Sequence, residues 1–198
     1  MPAQSPFEVI AAPFTIYLAA LGTAFPDVSQ SPSGSWIVLG TGGNLNYSDT
    51  GIKVGHEQSI VEFTPLGSTG PTKAFRTSES LKFTLEVVDV SATHYAKVLN
   101  GATVSTQASG GGNSGYSQFD LLQGYTVNFF AALLRTNGDS AGGVGFNTQY
   151  QIPRVYQSAN PEPVWKKGDP ATLACEWTVL RDPSLGYGKY VSQTAAFA

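Results

Sequence analysis

Few residues of this chain have the chemistry of a catalytic or metal-binding site. His56 and His94 have no second histidine nearby and no zinc-type spacing, so no transition-metal site is predicted. Each histidine is instead expected to be a surface or packing residue. Cys175 lies on the same predicted strand face as the apolar Leu173 and Trp177, which predicts a buried thiol, whereas a nucleophilic cysteine needs an exposed, electropositive setting.

The loops carry no recognisable catalytic pattern. The glycine-rich segment 109–115 lacks the Lys-Ser/Thr ending of a phosphate-binding loop. Aspartates in loops lie outside any twelve-residue calcium pattern. Glu86 and Glu176 form a carboxylate pair only if their strands are neighbours. The sequence therefore predicts a protein that is not an enzyme, with no catalytic, cofactor-binding or metal residues.

The composition favours an all-β protein that assembles with others. The chain has 198 residues, of which 41% are hydrophobic, only 13% are charged and 22 are glycine. A protein with so few charges covers its surface with small polar residues or with other subunits. The net charge of −3 gives no basic surface for sequence-specific DNA binding. We expect one domain spanning residues 1–198.

Nothing in the sequence points to a membrane or to an oxidising compartment. The single cysteine excludes an internal disulfide bond. The longest apolar run, at 127–134, is far shorter than a membrane span. The first residues, MPAQSPFEVI, lack the features of a secretory leader. We expect synthesis in the cytoplasm and no membrane insertion.

The predicted elements are mainly β-strands. Between an N-terminal arm (1–13) and a C-terminal arm (182–198), one short helix is predicted at 91–100, with Ser91 as its N-cap and Gly101 after its end. The pattern favours a β-sandwich or half-barrel with one flanking helix. Strands are predicted at 14–20, 35–41, 57–64, 72–77, 81–90, 124–135, 146–157 and 171–181. The apolar run within 124–135 predicts a strand covered on both faces, and Pro153 predicts an edge or a bulge in 146–157.

Residues 51–78 are predicted to form a long hairpin arm. Its turn, Pro65–Pro71, is rich in turn-forming residues. The arm has too few apolar residues for a core of its own, so we expect it to lie on another subunit; the alternative is a hairpin folded back on its own sheet. The expected interface residues are apolar anchors with two polar partners: Ile60, Phe63, Leu66 and Phe75, with Glu62 and Arg76.

The segment 39–101 resembles the core of tail tube proteins of long-tailed, non-contractile bacteriophages and of gene transfer agents. The shared features are the LGTGG stretch, an arm containing LGSTGPTKAFRT, an amphipathic strand, and a short helix ending in Leu-Asn-Gly. The resemblance covers about residues 14–101. Beyond Gly101 it rests on general shape.

The resemblance implies a structural virion protein. Such subunits are expected to close into hexameric rings whose sheets form a barrel across subunits. The rings stack into a tube through which DNA passes without specific binding. The implied partners are further copies of the chain and the tape measure, terminator and distal tail proteins. The implied location is the virion tail, after synthesis in the host bacterial cytoplasm, and no cofactor is implied.

The resemblance also suggests which strand face lines the tube. The polar faces of two predicted strands supply the lumen-facing candidates: Lys82, Thr84, Glu86, Thr172, Glu176 and Thr178. Carboxylates there would repel DNA phosphates, whereas Lys82 would attract them unless a neighbour such as Glu86 pairs with it. The alternative is that this face is the outer surface of a monomeric sandwich.

Two other functions compete with the tail tube. The first is a carbohydrate-binding or adhesin β-sandwich that uses Trp36, Trp165 or Tyr187 as a stacking platform. The second is another virion part, such as a tail terminator or a decoration protein.

Overall fold

The computed structural model describes residues 10, 12–140 and 143–194, so most of the predicted N-terminal arm and the last four residues lie outside the described part. A short 3-10 helix spans Gly43–Asn46 and helix α1 spans Ala92–Val98. The strands are β1 Phe14–Ala20, β2 Ile37–Val38, β3 Lys53–Phe63, β4 Lys73–Val87, β5 Ser105–Gln107, β6 Tyr116–Gln118, β7 Phe130–Thr136, β8 Asp139–Ser140, β9 Gly143–Val144, β10 Thr148–Gln157, β11 Pro163–Val164, β12 Thr172–Val179 and β13 Lys189–Ser192.

A large antiparallel sheet dominates the fold. Its strand order is β2-β1-β7-β10-β12-β4-β3, with β11 added to β12 and β13 added to β10. The expectation of a mainly β protein with a short helix is confirmed. Two small hairpins, β5-β6 and β8-β9, lie outside this sheet.

The core lies against one face of the sheet, where alternate residues of five strands point inward. The buried side of β12, Leu173, Cys175, Trp177 and Val179, is the side that its period predicted. Strand β7 is buried on both faces, as its continuous apolar run predicted: Ala132 and Leu134 join the main core, whereas Ala131 and Leu133 pack with Trp36 on the other side.

Tyr47 shows that the sheet curves. Its backbone bridges to Val87 in β4, and its hydroxyl donates to Leu39 O (2.7 Å) and accepts from Ile16 N in β1 (3.1 Å). In the strand order β1 and β4 are four strands apart, which is about 19 Å in a flat sheet. A tyrosine side chain is much shorter than that, so the two ends of the sheet must approach each other.

Several predicted boundaries were wrong. Residues 72–77 and 81–90 were expected as separate strands, but β4 runs without a break from Lys73 to Val87. Its polar middle, 77–80, is polar because it is exposed and not because the chain turns there. The strand predicted from Gly124 begins only at Phe130, and only Ile37–Val38 of the predicted strand 35–41 is a strand. Pro153 lies at an irregularity in the β7-β10 register, as its residue type predicted.

Candidate functional site

The six lumen-facing candidates lie on one face of two neighbouring strands. In the β12-β4 register, Thr178 pairs with Lys82 and Glu176 pairs with Thr84, while Ala174 pairs with Glu86. Directly paired residues of antiparallel strands share a face, so these side chains form one polar surface opposite the core. Each of the six, Lys82, Thr84, Glu86, Thr172, Glu176 and Thr178, is partly accessible to solvent. The structure therefore brings the predicted set together as one surface.

Lys82 is paired, although not with Glu86. Its ammonium lies 2.7 Å from the carboxylate of Glu57 on the adjacent strand β3. Hydrogen bonding and charge attraction between them raise the pKa of Lys82 and lower the pKa of Glu57. Both groups remain ionised near neutral pH, so the ammonium is already matched by a carboxylate.

Glu176 belongs to a small hydrogen-bond network with two hydroxyl groups. The Ser158 hydroxyl donates to its carboxylate (3.3 Å), and Thr178 Oγ1 donates to Ser158 Oγ (2.8 Å). Glu86 is its diagonal neighbour across the strand pair. The two carboxylates thus share the polar surface, which also carries hydroxyl groups along both strands.

The hairpin arm extends beyond the sheet. In the structure it comprises residues 57–80: the outer halves of β3 and β4 and the turn between them. In the part of β4 before Lys82, which runs toward the tip of the hairpin, the described pairing is with β3 alone. Nearly every residue of the arm is exposed to solvent. The hairpin is therefore not folded back on its own sheet, which was the alternative to an arm that contacts another subunit.

A bulge determines which side chains share a face of the arm. The β3-β4 register shifts between Ser59 and Ile60, where Thr77 is the extra residue. Beyond the bulge Val61 pairs with Phe75, which places Val61, Phe63 and Phe75 on one face. They are 55%, 55% and 47% exposed, and the Lys73 ammonium lies 4.9 Å from the Phe75 ring centre.

The opposite face of the arm combines an apolar side chain with charges. It carries Ile60 and Glu62 from β3 and Arg76 from β4. The Arg76 guanidinium lies 3.4 Å from the Glu79 carboxylate, whereas Leu66 lies fully exposed in the turn. The predicted interface residues thus divide between two faces and the tip. Val61 was not predicted, although its place two residues before Phe63 is the signal that would have revealed it.

The base of the arm borders a polar hollow of about 250 Å³. Its lining includes His56, Gln58 and Glu79 from the hairpin and Tyr187 from the C-terminal segment. The Tyr187 hydroxyl donates to the carbonyl oxygen of Glu79 (3.1 Å). This bond fixes the C-terminal segment to the arm where the arm leaves the sheet.

His94 has a packing role. It is buried in α1, and its Nδ1 accepts a hydrogen bond from Gly40 N (3.2 Å) while its Nε2 faces the Asp89 carboxylate at 3.4 Å. Asp89 in turn accepts from the backbone and hydroxyl of Thr41 and from Ser91 N. The arrangement requires neutral His94 with its proton on Nε2. It attaches the helix to the loop at 40–41.

The Asp89 network should affect acid stability. Burial alone would raise the pKa of Asp89, but its hydrogen bonds from Thr41 and Ser91 outweigh this and lower the pKa to about 2. Because the folded pKa is depressed, the stabilisation is complete above the unfolded value of 3.8 and is lost as the pH falls toward 2. Asp89→Asn is expected to lower the free energy of unfolding by about 2 kcal/mol at pH 7, measured by urea denaturation.

The exposed Asp169→Asn is the matched control and should change the stability little. At pH 2.5 the difference between wild type and Asp89→Asn should be much smaller than at pH 7. A difference that stays constant with pH would contradict the role assigned to the Asp89 charge.

The Cys175 thiol lies in the core of the sheet. Cys175 is buried, and desolvation raises its pKa to about 12, so its thiol is protonated and shielded. Among the described residues, no three His, Cys, Asp or Glu side chains lie close enough to hold a metal ion. The helices in the same part of the chain are too short or too polar to cross a membrane.

Only one of the three aromatic residues considered for carbohydrate stacking is a free platform. Trp36 is buried, and its indole nitrogen donates to Ala24 O. Tyr187 is partly buried and bonded to Glu79. Trp165 is exposed, but a single aromatic ring gives weak support for a sugar site.

A scan against protein-family models and a search of curated proteins find no match for this chain.

Proposed function

We propose that this protein is the structural subunit of a phage-type tail tube, in which hexameric rings stack around a channel that conducts DNA. The observation that carries the proposal is the exposed hairpin arm with its apolar side chains. A two-stranded ribbon is marginally stable alone in water. Phe63 and Phe75 are about half exposed, so burying the rest of each ring on a partner would contribute about 1–1.5 kcal/mol.

The edges of the sheet support assembly through strand pairing. Strand β3 ends the strand order, and no partner for its outer edge is found among the described residues. Such a long edge promotes uncontrolled association unless it is covered. Pairing between neighbouring subunits would cover it and extend the sheet toward a closed barrel.

The polar surface of β4 and β12 supports a channel for DNA. Its charged groups on β4 and β12 are Lys82, Glu86 and Glu176. The neighbouring strand β3 adds Glu57, which pairs with Lys82, and Lys53, which lies opposite Thr84. Glu57 matches Lys82, and the carboxylates of Glu86 and Glu176 outnumber the one further ammonium, that of Lys53, in this part of the surface. The three carboxylates and two ammonium groups give this part of the surface a negative balance that repels phosphates. The remaining carboxylates and hydroxyls suit a bore through which DNA moves without being held.

Electron microscopy of the purified protein tests the proposal. At high protein concentration, negative-stain images are expected to show rings and tubes with a constant bore. A protein that stays monomeric at every concentration would overturn the proposal. A single ring that never stacks would favour a terminator or decoration protein instead.

A further inference from the structure

An apolar groove lies between one end of the sheet and the end of helix α1. Its volume is about 530 Å³. The walls are mostly apolar and come from the end of β1, from β2 and from the start of β7: Leu18, Leu21, Ile37, Phe129 and Phe130. The charged residue in its lining is Lys97 from α1.

The ammonium of Lys97 lacks a partner. Its nitrogen is shielded from solvent, and no hydrogen-bond partner for it exists within the described part of the chain. Desolvation accordingly lowers the pKa of Lys97. An unpaired cation beneath an apolar groove is destabilising in the isolated subunit. A carboxylate in the groove, met by a rotation of the flexible lysine side chain, would offset part of that penalty.

The surface beside the groove is also apolar and is held in place. Asn100 donates from its side-chain amide to Gln123 O and Thr126 O (both 2.8 Å). These bonds fix the loop 121–127, whose Leu121, Leu122 and Tyr125 are exposed. The loop leads directly into Asn128 and Phe129, which line the groove, so exposed apolar residues precede the groove wall in the chain. Such a surface fits a segment that carries apolar side chains next to a carboxylate.

We propose that this groove receives the hairpin arm of a second copy, with Ile60 against the apolar walls and the Glu62 carboxylate on the Lys97 ammonium. The assignment rests on the proposed tube function and names the surface that the arm contacts. Glu62 has the required neighbour, because the apolar Ile60 lies on the same face of the arm two residues before it. The other arm carboxylates are already used: Glu57 pairs with Lys82, and Glu79 pairs with Arg76.

Charge reversal tests this contact. Glu62→Lys and Lys97→Glu should each raise the concentration needed for assembly by roughly thirtyfold, measured by sedimentation and electron microscopy. The double variant should assemble again. An equal mixture of the two single variants should also assemble, because each arm then meets a groove of opposite charge. Recovery in the mixture shows that the contact joins different copies.

Control variants separate this contact from general charge effects and from misfolding. Glu162→Lys and Lys166→Glu make the same charge changes at exposed positions and should assemble like wild type. Lys97→Met should raise the melting temperature of the monomer, because it removes a buried unpaired charge, and yet weaken assembly. A residue with a purely structural role would not move these two measurements in opposite directions.

The outcomes distinguish the groove contact from the tube itself. If the wild-type protein forms no tubes, both the proposed function and the proposed groove contact are overturned. If wild type forms tubes and the single variants assemble equally well, only the groove assignment is overturned. Single variants that fail, with neither the double variant nor the mixture recovering, would mean that another group occupies the groove.

Discussion

Shortening the hairpin arm is expected to abolish tube assembly while leaving the subunit folded. Deleting Pro65–Pro71 leaves Thr64 and Thr72 between Phe63 and Lys73, which are paired in the register. Replacing these two threonines with Asn-Gly provides the tight turn that a two-residue connection requires. The deleted segment is largely exposed, so the free energy of unfolding should change by less than about 1 kcal/mol.

Circular dichroism, denaturation and electron microscopy of the same sample measure both effects. The matched control keeps residues 65–71 and replaces only Thr64 and Thr72 with Asn-Gly. That control should still assemble. Tubes of normal length and spacing from the shortened variant would rule out a role for the arm tip in assembly.

Trp177→Ala is expected to cause the largest loss of stability among single substitutions in the core. Trp177 is 0% exposed, and its ring lies 6.3 Å from Phe83 and 5.8 Å from Phe130, measured between centres. Removing an indole at the junction of β12, β4 and β7 leaves a cavity, so the free energy of unfolding should fall by about 4 kcal/mol. Urea denaturation, at a protein concentration too low for assembly, measures this loss.

Trp165→Ala makes the same chemical change at a position that is 67% exposed, and it is the matched control. Its effect on the free energy of unfolding should stay within about 0.5 kcal/mol. Equal losses from the two variants would show that Trp177 is not the centre of the core.

The inner halves of the strands could be predicted from sequence, because burial leaves a periodic pattern there. Leu173, Cys175 and Trp177 alternate with polar residues, and the structure buries them as predicted. Both faces of β7 were predicted to be covered because its apolar run is continuous. In these segments apolar residues are buried and polar residues are exposed, so the sequence pattern is sufficient to predict which side of each strand faces the core.

The candidate surfaces were only partly predictable, because they depend on register and on distant contacts. The alternation of β4 predicted the polar set, but the partner of Lys82 comes from β3 through pairing that sequence spacing does not reveal. The faces of the arm depend on the bulge at Thr77, which shifts residues 73–76 of β4 by one position relative to β3 and so exchanges the faces on which they lie. The burial of the Lys97 ammonium depends on groove walls from β1 and β7, far away in the chain.

The strand order also determines when parts of the fold can form during synthesis. Strand β1 pairs with β7, and β4 pairs with β12, so both must wait for residues that are made much later. The hairpin of β3 and β4 needs only neighbouring residues and can form early. A domain dominated by such distant pairings has a high contact order and folds slowly. The growing chain therefore exposes the apolar side chains of this hairpin before the rest of the sheet has formed. Premature association with other chains is most favoured at this stage, while the chain is still bound to the ribosome.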